Sequence, residues 1–127
     1  MAENANRKIE GGVIGNFVPL STKFNVATQG GAVGDIGTGI KIPKGKVVVG
    51  YAIKNLADDL AGTGATLQLK VGSTAFPSSA ITLANAKGKA NSKLDQAVAT
   101  TEVTEVKLTV GTANLTAGNL ELTVFYV

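Results

Sequence analysis

Apolar and polar residues alternate with a period of two in several separate stretches, the spacing of strands with one face on a core and one in water. In Ala65–Val71, Leu67, Leu69 and Val71 fall on one face and Thr66, Gln68 and Lys70 on the other. Glu102–Val110 repeats this, with Val106, Leu108 and Val110 set against Glu105, Lys107 and Thr109. Leu120–Val127 places Leu122, Val124 and Tyr126 together, and Phe125 and Val127 make its other face partly apolar. Lys46–Leu56 is the longest strand candidate. Val47, Val49, Tyr51 and Ile53 share one face, and Val48, Gly50 and Ala52 share the other. Both faces are small or apolar, which predicts a central or doubly covered strand.

The segments between are less regular. Lys23–Thr28 reads as a short strand with Phe24 and Val26 on one face, and Ile9–Phe17 as a weaker one broken by Gly11, Gly12 and Gly15. Gln29–Gly39 is too rich in glycine for regular structure over its length and predicts a loop with short strand pieces. Pro43-Lys44-Gly45, Asp58–Gly64, Phe76-Pro77-Ser78-Ser79 and Thr116–Asn119 predict turns or loops. Ala80–Ala84 predicts a short strand, and Asn85–Thr100 a loop with at most one helical turn. The Val-Gly-Ser/Thr ending of the 66–74 strand recurs at 106–112, which suggests two similar hairpins. Many short strands separated by turns predict an all-β, two-sheet sandwich of the jelly-roll type. Residues 1–8, polar and small, read as a flexible N-terminal arm, and 9–127 as a single β-sandwich domain.

Composition narrows the function. The chain of 127 residues has neither cysteine nor histidine, which removes disulfides, thiolate metal sites and the commonest general base. A Ser-His-Asp or Cys-His arrangement cannot be built. Ser92 and Lys93 are neighbours, which a strand would turn to opposite faces. Asp58-Asp59 sits in a glycine turn rather than on two walls of a cleft, and reads as a solvated turn. Asp35 and Asp58-Asp59 are the places a weak calcium site would need, but no calcium-loop motif accompanies them. Gly34–Gly39 has the order G-x-x-G-x-G and precedes a strand, unlike a phosphate loop opening a helix. No enzyme activity, cofactor or metal is expected.

The net charge is +3, and Arg7 is the one arginine among twelve basic residues. No aromatic side chains are interleaved with Lys41-Lys44-Lys46 or Lys87-Lys89-Lys93, so direct nucleic-acid binding is not expected. The lysines read first as a solvated face or as edge-strand protection, with docking on an acidic surface as the alternative. No apolar run is long enough to span a membrane, and the N-terminus lacks the apolar stretch of a secretory signal.

Three stretches carry a resemblance. They are Gly39-Ile-Lys-Ile-Pro-Lys-Gly-Lys-Val-Val-Val-Gly-Tyr51, Gly64-Ala-Thr-Leu-Gln-Leu-Lys-Val-Gly72 and Leu115-Thr-Ala-Gly-Asn-Leu-Glu-Leu-Thr-Val-Phe-Tyr-Val127. Together they resemble small virion proteins of tailed bacteriophages, namely head decoration, cement or auxiliary capsid proteins and head-fibre bases. The resemblance covers 39–127 apart from 85–104, and the glycine-rich first third has no counterpart. It implies a jelly-roll-like, non-enzymatic part, often a trimer, made in the host cytoplasm. Such a part binds the major capsid protein between capsomers on the outer surface of the virion. On that expectation Arg7, Lys8, Phe17, Lys41, Lys44 and Lys46 are the candidate partner-binding residues. Phe24 and Phe76 are further anchors if they are not core. The competing expectation is a carbohydrate- or receptor-binding fibre module, for which a chain with no tryptophan and two tyrosines is poorly equipped.

Overall fold

A computed structural model describes residues 17–94 and 96–127. Arg7, Lys8, the expected arm and the expected strand from Ile9 lie outside the described residues. Among the described residues nine strands and two single helical turns follow one another in the order β1 (Val18–Asn25), α1 (Val26–Gln29), β2 (Gly34–Ile42), β3 (Val47–Lys54), β4 (Thr66–Val71), β5 (Thr74–Thr82), α2 (Leu83–Ala86), β6 (Ala90–Lys93), β7 (Val98–Ala99), β8 (Thr104–Gly111) and β9 (Asn119–Tyr126).

The strands form two antiparallel sheets, β1-β9-β3-β6 and β2-β8-β4-β5, with β7 continuing β6 along the same side of β3. Strands consecutive in the chain lie at matching places in opposite sheets: β1 with β2, β9 with β8, β3 with β4, β6 with β5. The chain is therefore wound as an eight-stranded jelly roll, its eighth strand split into β6 and β7. The inner faces meet in one core. Phe24, Val48, Tyr51, Ile53, Leu120, Leu122 and Val124 come from the first sheet, and Ile40, Ile42, Leu67, Leu69, Val71, Phe76, Val106, Leu108 and Val110 from the second. Each fully buried Leu or Phe here contributes about 1.5–3 kcal/mol. The alternation of 65–71, 102–110 and 120–127 thus selects the core face.

Several expectations are corrected. The first described strand begins at Val18 and stops at Asn25, whose side chain accepts from the Thr28 amide at 3.0 Å and starts a helical turn in place of strand. The glycine-rich 29–39 stretch, expected as a loop with short strand pieces, is irregular only at 30–33, and Gly34–Ile42 is one long strand that pairs with β8. Its glycines serve a wide bulge, in which Thr38, Gly39 and Ile40 face the single residue Val106. A Cβ on Gly37 would stand 2.7 Å from the Glu105 carboxylate. Phe76-Pro77 is not a turn but part of β5, where residues 77–80 bulge opposite Gln68. The Gln68 amide donates to the Pro77 carbonyl at 2.9 Å, and β5 is an edge strand, where proline costs no ladder bond. The 80–84 strand ends at Thr82, and 85–100 contains β6 and β7.

In β3 the extra residue Val49 forms a bulge against β9, which turns Val48 inward beside Tyr51 and Ile53. Simple alternation had placed Val48 with Gly50 and Ala52, on the face opposite Tyr51 and Ile53. Of the two Val-Gly-Ser/Thr strands only the first forms a hairpin, β4 with β5, because β8 and β9 lie in different sheets; the two strands instead pair directly, with Leu67 opposite Val110 and Val71 opposite Val106.

Candidate docking surface

The jelly-roll winding sorts the connections to two ends. One end gathers the β2–β3 turn, the β4–β5 turn, the β7–β8 loop, the start of β1 and the end of β9. Four candidate residues chosen from the sequence meet there: Phe17, Lys41, Lys44 and Lys46.

The Pro43-Lys44-Gly45 turn is held from below by Thr100. Its buried hydroxyl donates to the Pro43 carbonyl at 2.7 Å and accepts from the Lys46 amide at 3.0 Å. Two backbone bonds close the clasp: the Gly45 amide donates to the Thr100 carbonyl and the Thr100 amide to the Lys46 carbonyl, both at 2.8 Å. Gly45 adopts φ +81°, a conformation open to glycine without strain. Val47 and Val127 then exchange backbone bonds in both directions, at 2.9 and 3.1 Å. Lys44 is thus exposed on a fixed turn, and the Lys46 ammonium lies 5.9 Å from the centre of the Tyr126 ring. Lys41 stands opposite Glu105 in the β2–β8 ladder. The Gly39 amide donates to the Glu105 carboxylate at 3.2 Å. That bond first, then Lys107 beside it, lowers the Glu105 pKa below its ordinary value. Phe17 is half-buried, and Val18 and Val103 add exposed apolar side chains at this end. A shallow cavity of about 210 Å³ separates the β4–β5 turn from the β7–β8 loop. Cations carried on a fixed turn among apolar groups can dock on an acidic protein surface.

Other candidates lie elsewhere. Phe24 and Phe76 are fully buried core residues, not anchors. Ser92 pairs with Ala52 and Lys93 with Tyr51, so their side chains leave β6 on opposite faces. At the far end Asp58 pairs with Lys87 at 3.0 Å on the surface. Asp59 is taken up by a network the sequence did not announce. Asn55, 1% exposed, donates to the Asp59 carboxylate at 2.7 Å and to the Asn119 carbonyl at 2.6 Å. It accepts from the amides of Gly88 at 3.0 Å and Leu60 at 3.4 Å. Asn119 donates to Asp59 through both its backbone and its side chain, at 3.1 and 2.9 Å. The bonds from Asn55 and Asn119 lower the Asp59 pKa. Asp35 is likewise lowered, mainly by the Thr109 hydroxyl at 2.8 Å and secondarily by Lys70. Among the described residues no group of three or more acidic side chains could hold a metal ion. Also among them, no helix is long and apolar enough to cross a membrane.

Comparison with protein-family models and with curated proteins finds no match. Among solved structures, the chain is similar in fold to the acid-stable capsid structure of Helicobacter pylori bacteriophage KHP30. The TM-score is 0.58 at 16% identity, over 87% of this chain and 86% of that one. The likeness is one of architecture along nearly the whole described chain.

Proposed function

We propose that this protein is a non-enzymatic structural component of a bacteriophage virion. It binds the major capsid protein on the outer surface of the shell, at the junctions between capsomers, and braces the shell. The reading extends to a homotrimer made in the host cytoplasm. One observation carries it: a jelly roll matching a phage capsid structure almost end to end presents a clasped, lysine-bearing turn beside exposed apolar residues. Rigidity matters because a preorganised cation loses less entropy on docking. Lys46 over Tyr126 occupies a ring face that a glycan would stack on, which weighs against the adhesin reading.

The test uses shells of the encoding phage, prepared with and without the protein. Negative-stain imaging is expected to show it at regular surface positions, and the filled shells to survive greater heat. Lys44→Glu with Lys46→Glu is expected to weaken binding at least tenfold and to flatten its salt dependence. A purified protein that neither binds shells nor alters their heat resistance overturns the reading.

A further inference from the structure

The sandwich has two outward faces, and they differ in kind. On the β2-β8-β4-β5 sheet, Asp35 pairs with Lys70 and Glu105 with Lys107, as on an ordinary solvated surface. The outward face of β1-β9-β3-β6 consists of three cross-strand rows. The first is Pro19, Phe125 and Gly50, the second Ser21, Thr123 and Ala52, the third Lys23, Glu121 and Lys54.

The first row is an apolar island. A Cβ on Gly50 would lie 2.8 Å from a Leu94 methyl and 2.6 Å from the Lys93 carbonyl, so Leu94 rests directly over this glycine. Leu94 remains 58% exposed and Phe125 half-exposed, with no third layer over them among the described residues. In the middle row the Ser21 and Thr123 hydroxyls bond each other at 2.7 Å, which satisfies one of their two O–H donors, and Thr123 and Ala52 are already buried between the flanking rows. The third row is a charged border. Neither Lys23 nor Lys54 forms an ion pair with a described residue. Between them a cavity of about 380 Å³ holds Leu56, 74% exposed.

We propose that this face is a second docking surface, fitted to an apolar patch with an acidic border on the shell protein. The proposal rests on the virion reading above. Charge selects the partner: Lys23 and Lys54 flank the single Glu121 without an ion pair to it, so the border carries a net positive charge that favours carboxylates. Size argues against a second copy of this chain. The three rows cover about 300 Å², from strand spacings of about 4.8 Å and rises of about 3.3 Å per residue. A stable pair needs about 800 Å² from each partner. A small contact suffices where the lysine-bearing end grips the same lattice, because the second contact then forms at high effective concentration.

The experiment measures co-sedimentation of the full chain with shells of the encoding phage. Wild type is compared with Phe125→Ser, Leu94→Ser and the double variant Lys23→Glu, Lys54→Glu. Each is expected to bind at least tenfold more weakly, and the charge variant also to lose salt dependence. Leu94→Ser and the charge variant alter exposed or half-exposed side chains and are expected to melt like wild type, so they decide the matter if Phe125→Ser misfolds. Wild-type binding with all three variants unchanged overturns this inference and leaves the virion reading standing. Absence of wild-type binding overturns both. A wild-type dimer or trimer in sedimentation, broken by Leu94→Ser, assigns the face to further copies of this chain and also overturns the proposal.

Discussion

Asn55→Ala removes a side chain that ties three loops together at the end away from the lysine turn. Its four hydrogen bonds run to Asp59, Asn119, Gly88 and Leu60, and the residue is 1% exposed. Alanine removes the partner of two amides and a carbonyl, of which the Leu60 amide is on a fully buried residue. At about 1 kcal/mol net for each bond, the loss is about 3–4 kcal/mol. For a domain of this size each kcal/mol shifts the midpoint by about 3–5 °C, so melting is expected to fall by about 10–15 °C. Differential scanning calorimetry measures the shift. Asn55→Asp separates the two halves of the effect. It keeps acceptors for Gly88 and Leu60 but sets a second carboxylate against Asp59. Burial and that charge raise the new carboxyl's pKa in the folded state. Its deficit is therefore small below the unfolded pKa and grows as pH rises through the folded one. A drop below about 4 °C for Asn55→Ala, or a deficit for Asn55→Asp that does not depend on pH, refutes the claim that this network holds the loops.

Three further outcomes are expected. Asp35, Asp59 and Glu105 all have lowered folded pKa values, so their contribution is present above the ordinary carboxylate range and is lost as pH falls through the lowered values. With no histidine in the chain, the urea midpoint is expected to stay flat from about pH 5 to 8 and to fall below about pH 4; a step near pH 6.5 contradicts this. Gly50→Ala forces a methyl against Leu94 and the Lys93 carbonyl and is expected to cost about 1–3 kcal/mol in urea unfolding; unchanged stability refutes the close approach. Thr100→Val keeps shape but unclasps the lysine turn, and is expected to cost about 1–2 kcal/mol and to speed hydrogen exchange at Lys46; unaltered exchange refutes the clasp.

Where alternation was uninterrupted the fold was readable. Leu67, Leu69 and Val71, or Val106, Leu108 and Val110, can bury themselves in one register only. Bulges were not readable. The extra Val49 breaks the period of two, and no residue type there marks it; only the pairing of β3 with β9 reveals it. In β2 the glycines that suggested a loop admit the Glu105 side chain and a turn of backbone within a strand, a use that depends on the opposite strand. The lysines at 41, 44 and 46 were singled out because charge shows in the sequence. Thr100, which fixes two of them, was hidden because its partners lie 54 and 57 residues away. Asn55 was hidden for the same reason. Phe125 was noticed as apolar on the outward face, but its island needed Leu94, folded over Gly50 from a segment with no clear periodicity.

The pairing of Val18 with Tyr126, and of Val47 with Val127, sets the last residue of β9 beside the lysine turn. This decides where foreign sequence can be attached. A tag joined after Val127 would emerge among the cations and shield them. A peptide spliced in after Thr112, an exposed residue at the start of the β8–β9 connection, would leave from the opposite pole. On a decorated shell that pole would point outward, so the same winding that hides one handle offers another for displaying cargo on the particle.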